Sequence, residues 1–210
     1  MPLVIARFPL GPYQANCYVV RADRSAPAAV VIDPGAQAAD LRLELARLGA
    51  RCGGILVTHT DLDHIGAVAD LAEGTGAEVW CPASEADYLR DPTTAMRAGG
   101  GRGWEPEHLV AGGDTVEAAG LSFEVIDVPG HSSGHVAFYA DGCLFSGDVL
   151  FAGSVGRVDL SGGDWDTLLA SIRTLLDRFP PDTVVYSGHG RETTLAAERA
   201  TNPFLAELRP

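Results

Sequence analysis

The stretch Thr58-His59-Thr60-Asp61-Leu62-Asp63-His64 directly follows the apolar run Gly54-Ile55-Leu56-Val57, so one strand end delivers two imidazoles and two carboxylates into one loop. Carboxylates this close repel one another and raise each other's pKa unless positive charge sits among them. Imidazole with carboxylate is a donor set that suits zinc, iron or manganese. The plainer explanation of the same residues is a polar loop that opens a helix near His64, with Asp61 or Asp63 as its N-cap.

Working outward from this loop, Leu3 to Phe8 and Asn16 to Arg21 are apolar, β-branched segments separated by Gly11-Pro12, which suggests an opening antiparallel pair. A third strand, Ala29 to Ile32, ends at the turn Asp33-Pro34-Gly35. Asp33 is read there as a turn residue, with support of the metal loop as the alternative. The segment Ala38 to Leu48 places Leu41, Leu45 and Leu48 on one face, and Gly49 supplies its stop. Beyond the donor loop the pattern predicts a helix from about Ile65 to Glu73, ended by Gly74, and a strand over Glu78 to Cys81. From Pro82 to Gly113 the periodicity weakens. A short helix over Glu85 to Arg90 is expected, and the loop 91–107, with Gly99-Gly100-Gly101-Arg102-Gly103, is expected to border the site.

The second half repeats the scheme. Leu121 to Val128 alternates and runs into Pro129-Gly130-His131-Ser132-Ser133-Gly134-His135. Strands follow at Val136 to Ala140 and Cys143 to Ser146, the latter ending at Gly147-Asp148. A helix pattern covers Trp165 to Phe179, and the strand Thr183 to Tyr186 leads into Ser187-Gly188-His189-Gly190. Each group of metal-type donors therefore sits just past a strand end.

At 210 residues and 46% hydrophobic, the chain suits one well-buried domain over 1–210. Its formal charge of −13 argues against nucleic acid or an anionic membrane surface as partner. The N-terminal residues lack the pattern of a signal peptide, and no apolar run reaches membrane-spanning length. Cys17, Cys52, Cys81 and Cys143 lie far apart in strand-like sequence and read as buried thiols of a cytoplasmic protein.

The order Thr-His, Pro-Gly-His131, Gly-Asp148 and Gly-His189-Gly resembles the metallo-β-lactamase fold superfamily over essentially the whole chain. The strand with Asn16-Cys17-Tyr18, the segment Pro129 to His135 and the segment Phe145 to Arg157 are most similar to its glyoxalase II-like branch. The resemblance implies an α/β fold, a four-layer αββα sandwich of two mixed β-sheets with helices on both outer faces. It implies one divalent metal ion on His59, residue 61 and His131, a second on Asp63, His64 and His189, and Asp148 as the bridge. Zinc is the first expectation for the pair. Asp63 is the expected catalytic carboxylate, orienting a metal-held hydroxide; Arg157 is expected near the substrate, and His135 either near the substrate or hydrogen-bonded behind the ligands. His108 is expected to be exposed in the irregular loop.

One position departs from the family's pattern. The usual His-x-His-x-Asp-His has aspartate here at position 61, and an anionic oxygen donor shifts preference from zinc toward iron or manganese. An intact site of altered preference, a weakened first site and a noncatalytic relic are the three readings of that change. The implied activity is hydrolysis of a thioester such as S-lactoylglutathione or a related small-thiol conjugate. A mononuclear iron persulfide dioxygenase and a lactonase are the alternatives within the fold, and a noncatalytic binding protein is the alternative outside enzymology. Only about twenty residues follow His189, whereas glyoxalase II carries a C-terminal helical region that helps bind glutathione.

Overall fold

A computed structural model describes residues 2–93 and 101–208. The first half contains β1 (Val4–Leu10), β2 (Ala15–Arg21), β3 (Ala28–Ile32), α1 (Ala38–Arg47), β4 (Arg51–Leu56), α2 (Leu62–Ile65), α3 (Val68–Thr75), β5 (Val79–Pro82), α4 (Ala86–Arg90) and β6 (His108–Val110). The second contains β7 (Thr115–Ala118), β8 (Leu121–Asp127), β9 (Val136–Ala140), β10 (Cys143–Gly147), β11 (Leu150–Phe151), β12 (Ser154–Val155), α5 (Trp165–Arg178), β13 (Val184–Ser187), β14 (Thr193–Thr194) and α6 (Leu195–Thr201).

Two six-stranded sheets result, ordered β1-β2-β3-β4-β5-β6 and β14-β13-β10-β9-β8-β7, with β11 and β12 as a separate hairpin. Both sheets are mixed. In the first, β3 to β6 run parallel after an antiparallel start, and in the second β10 and β13 form the parallel pair.

Strand periodicity explains the layering. Along β2, Cys17 and Val19 face the helices while Tyr18 and Val20 face the other sheet, and all four are buried. Leu41, Leu45, Val68 and Leu71 cover the outer face of the first sheet. Phe123, Phe138 and Phe145 fill the space between the sheets. Leu168, Ile172 and Leu175 of α5 cover the outer face of the second. The expected αββα sandwich is therefore the observed one. Among the described residues no helix is long and apolar enough to cross a membrane.

Several local expectations change. The helix after the donor loop is two helices, because Ala67 N–H donates to Pro34 O (2.9 Å) and the Asp33–Gly35 turn presses against Gly66, where a Cβ would lie 2.5 Å from Gly35 O. The stop falls at Gly76, whose φ is +69°, and Gly74 lies inside α3. The weak region contains the edge strand β6, too short for period two to register. His108 there is half-buried, stacked on Trp80 with centroids 4.4 Å apart and in contact with Glu78 at 2.9 Å. Part of the 91–107 loop, including Gly99 and Gly100, lies outside the described residues. Within it, Gly101 lies against Leu62 of α2, and Arg102 pairs with Asp70 and Glu73.

The carboxyl ends of β3, β4, β5, β10 and β13 gather at one edge of the sandwich, as binding sites of parallel strands generally do. Cross-sheet bonds fasten that edge. Asn16 N–H donates to Gly188 O (2.7 Å), Tyr18 Oη–H to Ser187 O (2.6 Å) and Val136 N–H to Thr58 O (2.9 Å).

Phe138 is fully buried between the sheets. Phe138→Ala is expected to lower stability by about 3–5 kcal/mol, read from urea unfolding; a loss under about 1 kcal/mol would mean the inter-sheet core is not close-packed there.

Candidate metal centre

The donor loop is anchored from below by Asp33. Its carboxylate accepts from Thr58 N–H (2.8 Å), Thr58 Oγ1–H (2.7 Å) and His64 Nδ1–H (3.0 Å). Asp33 is buried at φ +51°, in the left-handed region that aspartate tolerates better than most residues. It is thus both the expected turn residue and, by its contacts, the support of the loop.

These bonds fix the histidine tautomers. The Thr58 hydroxyl spends its proton on Asp33, so at 3.0 Å it accepts from His59 Nδ1–H. His131 Nδ1–H donates to the main-chain oxygen of Arg157 (2.8 Å). His59, His64 and His131 therefore each commit Nδ1–H to an outer acceptor and turn Nε2 inward, the arrangement that orients metal-binding imidazoles.

Besides the group Asp33, His59 and His64, whose carboxylate is already bonded to Thr58 and His64 Nδ1, two donor sets form at this edge with ligand atoms within 4.8 Å of one another: His59, Asp61 and His131, and Asp63, His64 and His189. Between them lies Asp148. Its Oδ1 is 3.4 Å from His64 Nε2, and its Oδ2 is 3.4 Å from His189 Nε2 and 3.9 Å from His131 Nε2. Asp148 can reach this point only because residue 188 is glycine; a Cβ there would lie 2.0 Å from Asp148 Oδ1.

The residues fit a cation pair. His59 Nε2, His64 Nε2 and Asp148 Oδ1 are buried, converge here and have no hydrogen-bond partner among the described residues. Each such orphan costs about 1–3 kcal/mol, so a group that coordinates them removes a concentrated penalty.

The expected residues fall in different places. Asp61 stands at the N-cap of α2, yet its side chain makes no capping bond; Oδ2 lies 3.2 Å from His131 Nε2 and 3.9 Å from His59 Nε2. Asp63 is 3.4 Å from His189 Nε2. His135 is buried behind the ligands, stacked on His59 with centroids 4.5 Å apart, and its Nε2 accepts from Asp148 N–H (3.1 Å). That placement braces Asp148 from within. The Arg157 side chain is exposed and paired with Asp159 at 2.7 Å, while its main chain orients His131.

Sequence reasoning did not single out Glu85. It precedes α4 like a surface helix residue, but it is buried and reaches both donor loops. An acid opening a helix directly after a strand, as Asp61 does after β4, is the only signal that marks it.

Electrostatics reflect the crowding. Burial pushes the Asp148 carboxyl up, but the neighbouring imidazoles, His64 first and then His189, outweigh it and hold the group well below the usual carboxylate range. Burial, followed by the neighbouring His64 and His135, keeps His59 well below the usual imidazole range and hence neutral. Hydrogen bonds to Asp148 and Asp63 push His189 up to about 9.

The chain belongs to the metallo-beta-lactamase superfamily, whose family model matches residues 10–189. It is 34% identical over 209 residues to hydroxyacylglutathione hydrolase GloC of Haemophilus influenzae, covering 94% of this chain and 95% of that one. Among solved structures, the BLEG-1 B3 metallo-beta-lactamase aligns with a TM-score of 0.90 at 38% identity, over 97% of this chain and 100% of that one. TTHA1623, solved in a di-iron-bound form, aligns with a TM-score of 0.81 at 39% identity, over 95% and 100%.

A metal ion takes the imidazole lone pair, so loading must displace the proton that His189 carries below about 9. Calorimetric titration of metal-free protein at neutral pH, in two buffers of different ionisation enthalpy, is expected to show proton release. Apparent affinity should rise with pH through the range in which His189 and His64, both raised above the ordinary imidazole range, lose their protons. Buffer-independent heats would show that His189 gives up no proton on loading.

Proposed function

We propose that the chain is a metal-dependent hydrolase of a small-thiol thioester, S-lactoylglutathione or a related conjugate. The observation that carries the reading is the pair of donor sets sharing Asp148, in a chain whose relative GloC bears the name hydroxyacylglutathione hydrolase. When bound, a pair of divalent cations supplies Lewis acidity toward a carbonyl oxygen and a water acidic enough to ionise near neutral pH.

The chain's own residues divide the remaining work. Asp148 and His135 fix the spacing of the two sets from below. Asp63 keeps 22% of its side chain exposed against 12% for Asp148, so it is the ligand carboxylate placed to orient the attacking water toward substrate. The leaving thiol has a pKa of about 8.5 and departs without a proton, so no general acid is required. Arg157 stands on the rim as a cation for a substrate carboxylate once it exchanges Asp159 for that partner.

Asp61 sets the metal. Each set then holds two imidazoles and one carboxylate, a ligand mix suited to iron or manganese as well as zinc, and the di-iron form of TTHA1623 supports that direction. Protein grown with zinc, iron and manganese supplied equally is expected to carry about two transition-metal ions per chain by elemental analysis, and Asp61→His should raise the zinc share. Unchanged metal content in Asp61→His would remove residue 61 from the ligands.

The likeness to BLEG-1 favours a second reading, hydrolysis of a β-lactam ring. An amide nitrogen leaves poorly without a proton, which is why the thioester is preferred. Metal-loaded protein is expected to release thiol from S-lactoylglutathione and to leave a chromogenic cephalosporin largely intact, with Asp148→Asn slowing thiol release roughly 100-fold or more. Turnover of the cephalosporin with no thiol release would replace this reading by the second.

A further inference from the structure

We infer that Glu85 is a positioning residue for the metal centre, a buried strut that sets the spacing of the His59, Asp61 and His131 donors by holding their two loops together. The inference rests on the two-set reading of the centre given above. Glu85 is 2% exposed and stands between the end of β5 and the start of α4. Its Oε2 accepts from Thr60 N–H (2.7 Å) and Thr60 Oγ1–H (2.9 Å). Its Oε1 accepts from Ser132 Oγ–H and from Gly134 N–H (3.1 Å).

The sequence positions of these donors carry the argument. Thr60 lies between the ligands His59 and Asp61, and Ser132 directly follows the ligand His131. One carboxylate therefore grips a neighbour of every member of the first set, across the gap between the two halves of the fold. Asp63, His64 and His189 have no such link to Glu85; His64 is held by Asp33 instead.

Two further features fit a strut. Glu85 occupies the N-cap position of α4, yet its side chain makes no capping bond, so the carboxylate is turned wholly toward the loops. Gly134 is needed to let the second loop close on it, since a Cβ there would lie 2.3 Å from Ser84 Oγ and 2.6 Å from Glu85 Cγ. Four donors on one side chain demand an acceptor-only group. Glutamine would aim an amide N–H₂ at two of them and release one loop. Aspartate is one methylene too short to span both.

The test reads metal rather than turnover. Metal-free wild type and Glu85→Gln are titrated with cobalt(II) against a chelating dye. His131→Ala and His189→Ala serve as references that mark which binding step and which visible band belong to each set. Glu85→Gln is expected to weaken the first-set step about 10–100-fold and to alter its band while the second-set step stays at the wild-type value. Ser132→Ala and Thr60→Ala, which leave the carboxylate in place, should weaken the same step by smaller factors, and they carry the test if circular dichroism shows Glu85→Gln unfolded. A first-set step and band at wild-type values in these variants, or equal weakening of both sets, would overturn the assignment. Failure of the wild type to take up any metal would sink the metal-centre reading as well.

Discussion

The structure is organised around the mutual repulsion of carboxylates brought together in a poorly solvated place. Asp33, Asp61, Asp63, Glu85 and Asp148 all converge on one edge of the sandwich, and unit charges at such separations interact by several kcal/mol at the effective dielectric of a partly buried site. Each is answered differently. Asp33 and Glu85 are saturated by hydrogen-bond donors from the loops, seven bonds in all, and so act as anchors. Asp61, Asp63 and Asp148 instead face imidazole nitrogens: Asp61 that of His131, Asp63 that of His189, and Asp148 the buried Nε2 of His64. The first pair shapes the loops and the remaining three charges are left for cations.

This division explains why the ligands sit where they do in the fold. A strand end can present a side chain rigidly only if the backbone that follows is tied down. At the end of β4 the ties are Asp33 and Glu85; at the end of β8 they are Glu85 and the main chain of Arg157; at the end of β13 they are Asn16 and Tyr18 from the opposite sheet. The opening antiparallel pair, far from the donors in sequence, thus contributes directly to the position of His189. A mixed sheet whose parallel strands end together gives the donors one shared edge, and the cross-sheet bonds close it.

Much of this was legible in the sequence because it depends on local pattern. The apolar, β-branched runs of β2 and β3, the alternation along β8, the apolar face of α5 and the donors past each strand end all follow from residue order. What was not legible depends on distant partners. Glu85 and Asp33 look like a helix-opening acid and a turn acid, and nothing within a few residues of either shows that its acceptors are filled by Thr60 and Ser132, or by Thr58 and His64. For His135 the residue order leaves open a place near the substrate or one behind the candidate ligands; its stacking on His59 and its bond to Asp148 N–H, both made by distant residues, set it behind them. The division of the helix after the donor loop likewise reflects a contact with the Asp33–Gly35 turn, thirty residues upstream.

Asp61 is where the plain and the functional explanations of the opening stretch meet most directly. An aspartate before a helix ordinarily accepts from the N–H groups of the first turn, a bond worth about 1 kcal/mol. This chain has such a case in Asp164, which accepts from Thr167 N–H at 2.8 Å at the start of α5. Asp61 holds the same backbone position before α2, with φ −64° and ψ 141°, and its main-chain oxygen accepts from His64 and Ile65 N–H as an N-cap should. Its carboxylate nevertheless forgoes the cap and turns toward His59 and His131. The helix start explains why an aspartate is tolerated at position 61, and the donor set fits the direction in which its side chain points. With a third carboxylate in the centre, a pair of dications keeps one net positive charge instead of two. A cation pair held here would thus have its charge set at the residue in which the chain departs from the family's pattern.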